Sequence, residues 1–85
     1  MNCLMKFRSR ITTEETYPYS VFIEFKIECH DVKSVFQEAH EFEESIIKGR
    51  IVDTTTECLG ILQIRNMKSW EALELAEQGI ETITE

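Results

Sequence analysis

Cys3-Leu4-Met5-Lys6-Phe7-Arg8-Ser9-Arg10-Ile11 decides the reading of this chain: Cys3, Met5, Phe7 and Ile11 fall on odd positions and the bases Lys6, Arg8 and Arg10 on even ones. A period of two is that of a β-strand with one face buried and the other in water. Residues 19–29 repeat the pattern. Val21, Ile23, Phe25, Ile27 and Cys29 take one side and Ser20, Glu24, Lys26 and Glu28 the other, with Phe22 an apolar residue on the polar side. Residues 12–18 between them are polar and end in the chain's one proline, which predicts a hairpin with a longer loop.

The hairpin gives the basic strand a structural use. One register sets Phe7 against Ile23, Met5 against Phe25 and Lys6 against Glu24; a shift of two residues sets Arg8 against Glu24 instead. Either register pairs a base with an acid, at about 0.2–1 kcal/mol per cross-strand pair. Residues 1–13 hold three bases and no acid, whereas the remainder holds sixteen acids and six bases. The basic strand is therefore expected to be a structural feature before it is a binding site.

Downstream, Asp31 is placed to cap a helix over 32–48, in which Val32, Val35, Phe36, Ala39, Phe42, Ile46 and Ile47 recur at the spacing of one buried stripe and Gly49 ends the run. Residues 50–56 and 58–66, rich in Ile, Val, Thr and Leu, read as two further strands, with Gly60 at a bulge and no Asn-Gly signal for the turn between them. Ser69 is placed to cap a second helix over 70–78, with Trp70, Leu73 and Ala76 facing inward and Gly79 as its stop. Residues 80–85 are compatible with a short edge strand. The expected fold class is α+β: a four- or five-stranded, mainly antiparallel sheet with two helices on one face, in the order β-β-α-β-β-α with or without a final β. A repeated ββα unit and a ferredoxin-like variant beginning at residue 19 both fit that description.

The length, 85 residues, suits one domain that buries roughly 60–65% of the unfolded chain's surface. Residues 1–10 lack the apolar run of a secretory signal, and no apolar run approaches the roughly 20 residues that span a bilayer. Cys3, Cys29 and Cys58 are odd in number and sit among apolar neighbours, as reduced core thiols of a cytoplasmic protein do. A net charge of −7 disfavours direct binding to nucleic acid or to an anionic membrane and favours a basic partner.

No residue set announces catalysis. His30 and His40 are the only imidazoles. His40 with Glu43 and Glu44 has a helical spacing that a metal could use, but it lacks further ligands and reads as a solvent-facing charge pair. Cys29, His30 and Asp31 are consecutive in a strand and cannot converge as a nucleophile, base and orienter. The chain has no phosphate-cradling glycine loop and no metal-binding or redox cysteine motif. Neither an enzymatic activity nor a cofactor is expected.

The strongest remaining signal is acidic. Glu38, Glu41 and Glu44 line the first helix away from its apolar stripe, and Glu71, Glu74, Glu77 and Glu81 form a second row. Carboxylates three or four residues apart on a helix lie about 5–6 Å from one another, near the spacing of phosphates along a strand, so such a row can act as a nucleic-acid mimic toward a basic groove. Phe22 adds an apolar contact on the open sheet face. The expectation is a non-enzymatic, protein-binding regulator or inhibitor acting on a basic protein through Glu71, Glu74, Glu77, Glu81, Glu38, Glu41, Glu44 and Phe22. In format, though in no motif, it resembles small phage-encoded host-takeover and anti-defence proteins, which implies a nucleic-acid-processing enzyme as the partner. Two other readings are a small-ligand-binding regulatory domain of ferredoxin-like type and a structural subunit that self-assembles, as a homodimer or larger oligomer, through a free sheet edge.

Overall fold

The alternating segment at the start of the chain becomes the middle of the sheet. In a computed structural model that describes residues 2–15, 19–31, 34–65 and 68–83, β1 (Asn2–Thr13) is flanked by β2 (Val21–Cys29) on one side and β3 (Ile51–Arg65) on the other, both antiparallel to it. Helix α1 (Val35–Ile46) connects β2 to β3 across β1, and α2 (Ser69–Glu77) follows β3. Tyr17, Pro18, Val32 and residues 66, 67, 84 and 85 lie outside the described residues.

The observed hairpin register pairs Arg8 with Glu24 and Phe7 with Phe25. It places Cys3, Met5, Phe7, Ser9, Ile11 and Thr13 on the covered face, all buried, and leaves Arg8 and Arg10 exposed on the other. Phe7 is the hub: it stacks on Phe25 at 5.7 Å between centroids and meets Phe36 of α1 edge-on at 5.5 Å, while Phe25 stacks on Phe42 at 4.7 Å. Val35 and Ala39 of α1 and Leu75 of α2 join the same core, so both helices cover one face of the sheet. Burying a side chain of this size contributes about 1.5–3 kcal/mol.

Among the described residues the sheet has three strands, not four or five. Residues 50–56 and 58–66, which read as two strands with a bulge at Gly60 in the second, run on across Glu57 as the single strand β3. The physical reason is visible along β1, whose residues 2–13 find partners over the whole of β3. Three irregularities absorb the mismatch: pairing skips Val52, Leu59 and Leu62, each an extra residue that bends the strand. A ferredoxin-like arrangement is excluded with the fourth strand. Of the final strand expected over 80–85, the described part, residues 80–83, forms one isolated bridge, Thr82 beside Ile61 in parallel sense, held by Ile61 N–H to Glu81 O at 2.9 Å and Ile83 N–H to Ile61 O at 2.8 Å.

Gly60 explains why the chain can cross there. It adopts φ +144°, and a Cβ at this position would lie 2.6 Å from Ile83 Cγ2 and 2.7 Å from the Glu81 carbonyl oxygen. Only glycine leaves room for the tail against β3.

Both helices start differently from their sequence reading. Ser34, not Asp31, stands at the N-cap of α1, and the Asp31 carbonyl accepts from the Ser34 N–H and Oγ at 3.2 Å each. Ser69 is the first residue of α2 rather than its cap, which is Lys68.

Candidate interaction surface

Helix α2 presents the least expected surface of the molecule. The Glu71 side chain turns back and accepts the Lys68 N–H at 3.1 Å, capping the first turn. Glu71 and Leu75, one turn apart, are buried at 4% and 2% exposure. With that stripe inward, Trp70 and Leu73 point to solvent at 58% and 62% exposure, the opposite of the inward orientation that the apolar spacing predicts. Ala72 and Ala76 are exposed as well. At 100° per residue, Ala72, Ala76, Leu73 and Trp70 occupy one continuous outward arc.

The helix stops in a Schellman motif: Ile80 N–H bonds to Leu75 O and Gly79 N–H to Ala76 O, each at 3.0 Å, with Gly79 at φ +73°. The chain then folds back toward β3, leaving a groove of about 280 Å³ between helix and tail. Ile61, Ala72, Leu75, Ala76 and Ile80 form its apolar lining and Glu81 its acidic lip.

The carboxylates named from the sequence are thereby sorted into different environments. Glu71 is buried as a cap and is not available to a partner. Glu77 is exposed within the outward arc, Glu74 is half-buried at its margin, and Glu81 stands across the groove. On α1, Glu41 and Glu44 are exposed, and Glu41 accepts from Gln37 Nε2 at 3.4 Å. Glu38 is half-buried, with its Oε2 enclosed and without a hydrogen-bond partner. The two rows do not join into one, because each helix covers its own stretch of the sheet: Glu43 of α1 reaches Thr56, whereas Leu75 of α2 shares its groove with Ile61.

Glu43 was read from the sequence as half of a solvent-facing pair with His40. The pair exists, His40 Nδ1 lying 2.8 Å from Glu43 Oε1, but the carboxylate is buried at 1% exposure. Its second neighbour is Thr56 of β3, whose hydroxyl donates to both carboxylate oxygens at 3.1 and 3.0 Å. A buried carboxyl group needs hydrogen-bond partners of this kind. Beside it, the Ser9 hydroxyl, opposite Thr56 in the sheet, is buried with no hydrogen-bond partner.

The open sheet face carries a charge ladder. Lys6 reaches Glu24 at 3.5 Å, Arg8 reaches Glu57 at 3.0 Å, and Arg10 reaches Asp53 at 3.5 Å. The basic strand is thus neutralised from both neighbours, each exposed pair adding little to stability. Phe22 lies at the edge of this face at 71% exposure, over a shallow depression of about 110 Å³ that it shares with Arg8, Arg10, Thr55 and Glu57.

Thiol chemistry finds little support in the geometry. Cys3 and Cys29 face one another across β1 and β2, both buried, and burial pushes each thiol up to about 11; the charge of Glu38 adds to the effect on Cys29. Burial raises the Cys58 thiol too. Protonated core thiols are poor nucleophiles. Among the described residues no cluster of three or more His, Cys, Asp or Glu is arranged to hold a metal ion, and no described helix is long and apolar enough to cross a membrane.

Comparison with known protein families, characterised proteins and solved structures finds none that matches this chain.

Proposed function

We propose that the protein is a non-enzymatic regulator or inhibitor that binds a basic protein through its acidic helical surface. The observation that carries this reading is the outward face of α2, where Trp70 and Leu73 stand in solvent among the carboxylates of Glu74, Glu77 and Glu81. Large exposed apolar side chains are costly to solubility and mark contact sites when grouped. Charge selects the partner. Among the described residues Glu44, Glu74, Glu77 and Glu81 form no ion pair, whereas the bases of β1 are occupied by Glu24, Glu57 and Asp53. The uncompensated field therefore belongs to the helices and the tail after α2 rather than to the open sheet face, and steers basic surfaces toward them.

A nucleic-acid-processing enzyme is one class of target with a suitably basic groove. The test is retention of proteins from a cell extract on the immobilised chain at low salt, followed by elution near 0.5 M salt, where the Debye length is about 4 Å. Stoichiometric retention of a basic protein that competes with DNA or RNA supports the proposal. Retention of nothing but further copies of the chain opposes it.

A further inference from the structure

We infer that the groove between α2 and the tail, together with the outward arc of Trp70 and Leu73, seats a basic amphipathic helix of the partner protein. This inference rests on the protein-binding reading above and gives that reading an occupant. The arc supplies the shape. Ala72 and Ala76 are small enough to let another helix approach closely, and they line the groove on the side that leads to the large side chains of Leu73 and Trp70. A helix of nine residues is about 13 Å long, so it can receive apolar anchors spaced i, i+3/i+4 and i+7.

Charge identifies the occupant. Glu77 stands between Leu73 and Trp70, Glu74 lies beyond Trp70, and Glu81 is on the far lip of the groove, so the apolar strip of Ala72, Ala76 and Leu73 is bordered by carboxylates on both flanks. A helix with Lys or Arg on either side of an apolar stripe is the complement of that pattern. A second copy of this chain is not: pairing α2 with α2 would bring the acids of both copies together with a single base per copy, Lys68 at the N-cap, to offset them, and Lys6, Arg8, Arg10 and Arg50 already engage Glu24, Glu57, Asp53 and Glu14. An anionic lipid surface meets the same repulsion.

Trp70 is the chain's only tryptophan and reports directly on the site. The probe is a synthetic 18-residue peptide of Leu and Lys, with Leu at helical spacing, titrated against the full chain while Trp70 emission and acrylamide quenching are followed; about 18 residues give five helical turns. The expected result is a blue shift with reduced quenching, affinity at least about tenfold above that of a scrambled peptide of the same composition, and a loss of about tenfold or more in Leu73→Ser. The melting curve of Leu73→Ser should match that of the parent, which separates lost binding from lost folding. Equal binding of the scrambled peptide would overturn the inference and leave a purely electrostatic regulator. Trp70 emission that shifts with the chain's own concentration, or with anionic vesicles in place of the peptide, would overturn it in favour of a second copy or a lipid surface. Failure of both peptides to bind, while the immobilised chain still captures a basic protein, would overturn the inference alone; failure of the capture as well would remove the reading beneath it.

Discussion

The Thr56 hydroxyl bridges both oxygens of the buried Glu43 carboxylate, at 3.1 and 3.0 Å, and so ties the middle of β3 to the inner side of α1. His40 completes the arrangement from the solvent side at 2.8 Å. An acid in the core of so small a protein is tolerated because its oxygens are satisfied, and removing one partner exposes the cost of burial.

Thr56→Val is accordingly expected to destabilise the chain by about 1–3 kcal/mol, because the carboxylate stays in place without its donor. Glu43→Leu alone strands the Thr56 hydroxyl. The double variant removes both polar groups and should recover much of the loss. Urea unfolding of the four proteins measures the coupling, and strictly additive losses would show that the two groups act independently.

Gly60→Ala tests the seat of the tail. The new Cβ would meet Ile83 and the Glu81 carbonyl, and the backbone there has φ +144°. A loss of about 1–3 kcal/mol is expected, with faster amide exchange at Ile61 and Ile83. Gly79→Ala, where a Cβ meets open space at φ +73°, should cost about 1 kcal/mol and leave exchange at those two amides nearly unchanged.

Much of this organisation is legible in the residues. The alternation of Cys3, Met5 and Phe7 with Lys6 and Arg8 gives β1 its two faces, and the same alternation in β2 gives its partner; the observed register, with Arg8 opposite Glu24, is one of the two that the charges permit. Two readings failed for reasons that can be named. Residues 50–56 and 58–66 read as two strands because each run is rich in Ile, Val, Thr and Leu, but the missing turn chemistry near Glu57 is the better signal, and a long central strand can hold one bent partner throughout. Helix α2 was assigned the wrong face because Trp70, Leu73 and Ala76 form a helical apolar series as readily as Glu71 and Leu75 form the buried one. Local periodicity cannot tell which stripe meets the core when Glu71 is used as a cap. That misassignment also hid the candidate site, since residues expected in the interior were not considered as contacts.

The exposed apolar residues give a sharp contrast in stability. Trp70→Ala, Leu73→Ser and Phe22→Ser should each change stability by no more than about 0.5 kcal/mol, whereas Leu75→Ala should cost about 2–5 kcal/mol. In a chain of this length each kcal/mol moves the melting temperature by about 4–8 °C. Thermal melts therefore separate core from contact residues without any partner present.

The thiols define an alkaline limit. A folded thiol near 11, against an ordinary 9.0, keeps its proton where the unfolded chain loses it. Stability from Cys3 and Cys29 is thus fully present below pH 9 and is lost as pH rises through the folded value near 11. Melting temperature should fall across that window, and less steeply in Cys29→Ala than in the parent. At pH 8 the folded thiolate fraction is about a hundredfold below that of the unfolded chain, so labelling by an aromatic disulfide reagent should await unfolding.

The central claim is that uncompensated carboxylates of the helices and the tail select a basic protein partner. Its most direct test is the affinity of the captured partner, measured at low and at moderate salt, for the parent chain and for a variant carrying Glu41→Gln, Glu44→Gln, Glu77→Gln and Glu81→Gln. The account predicts that the variant keeps the parent's melting curve, binds at least about tenfold more weakly at low salt and shows a shallower dependence on salt. Unchanged affinity and an unchanged salt dependence would contradict it.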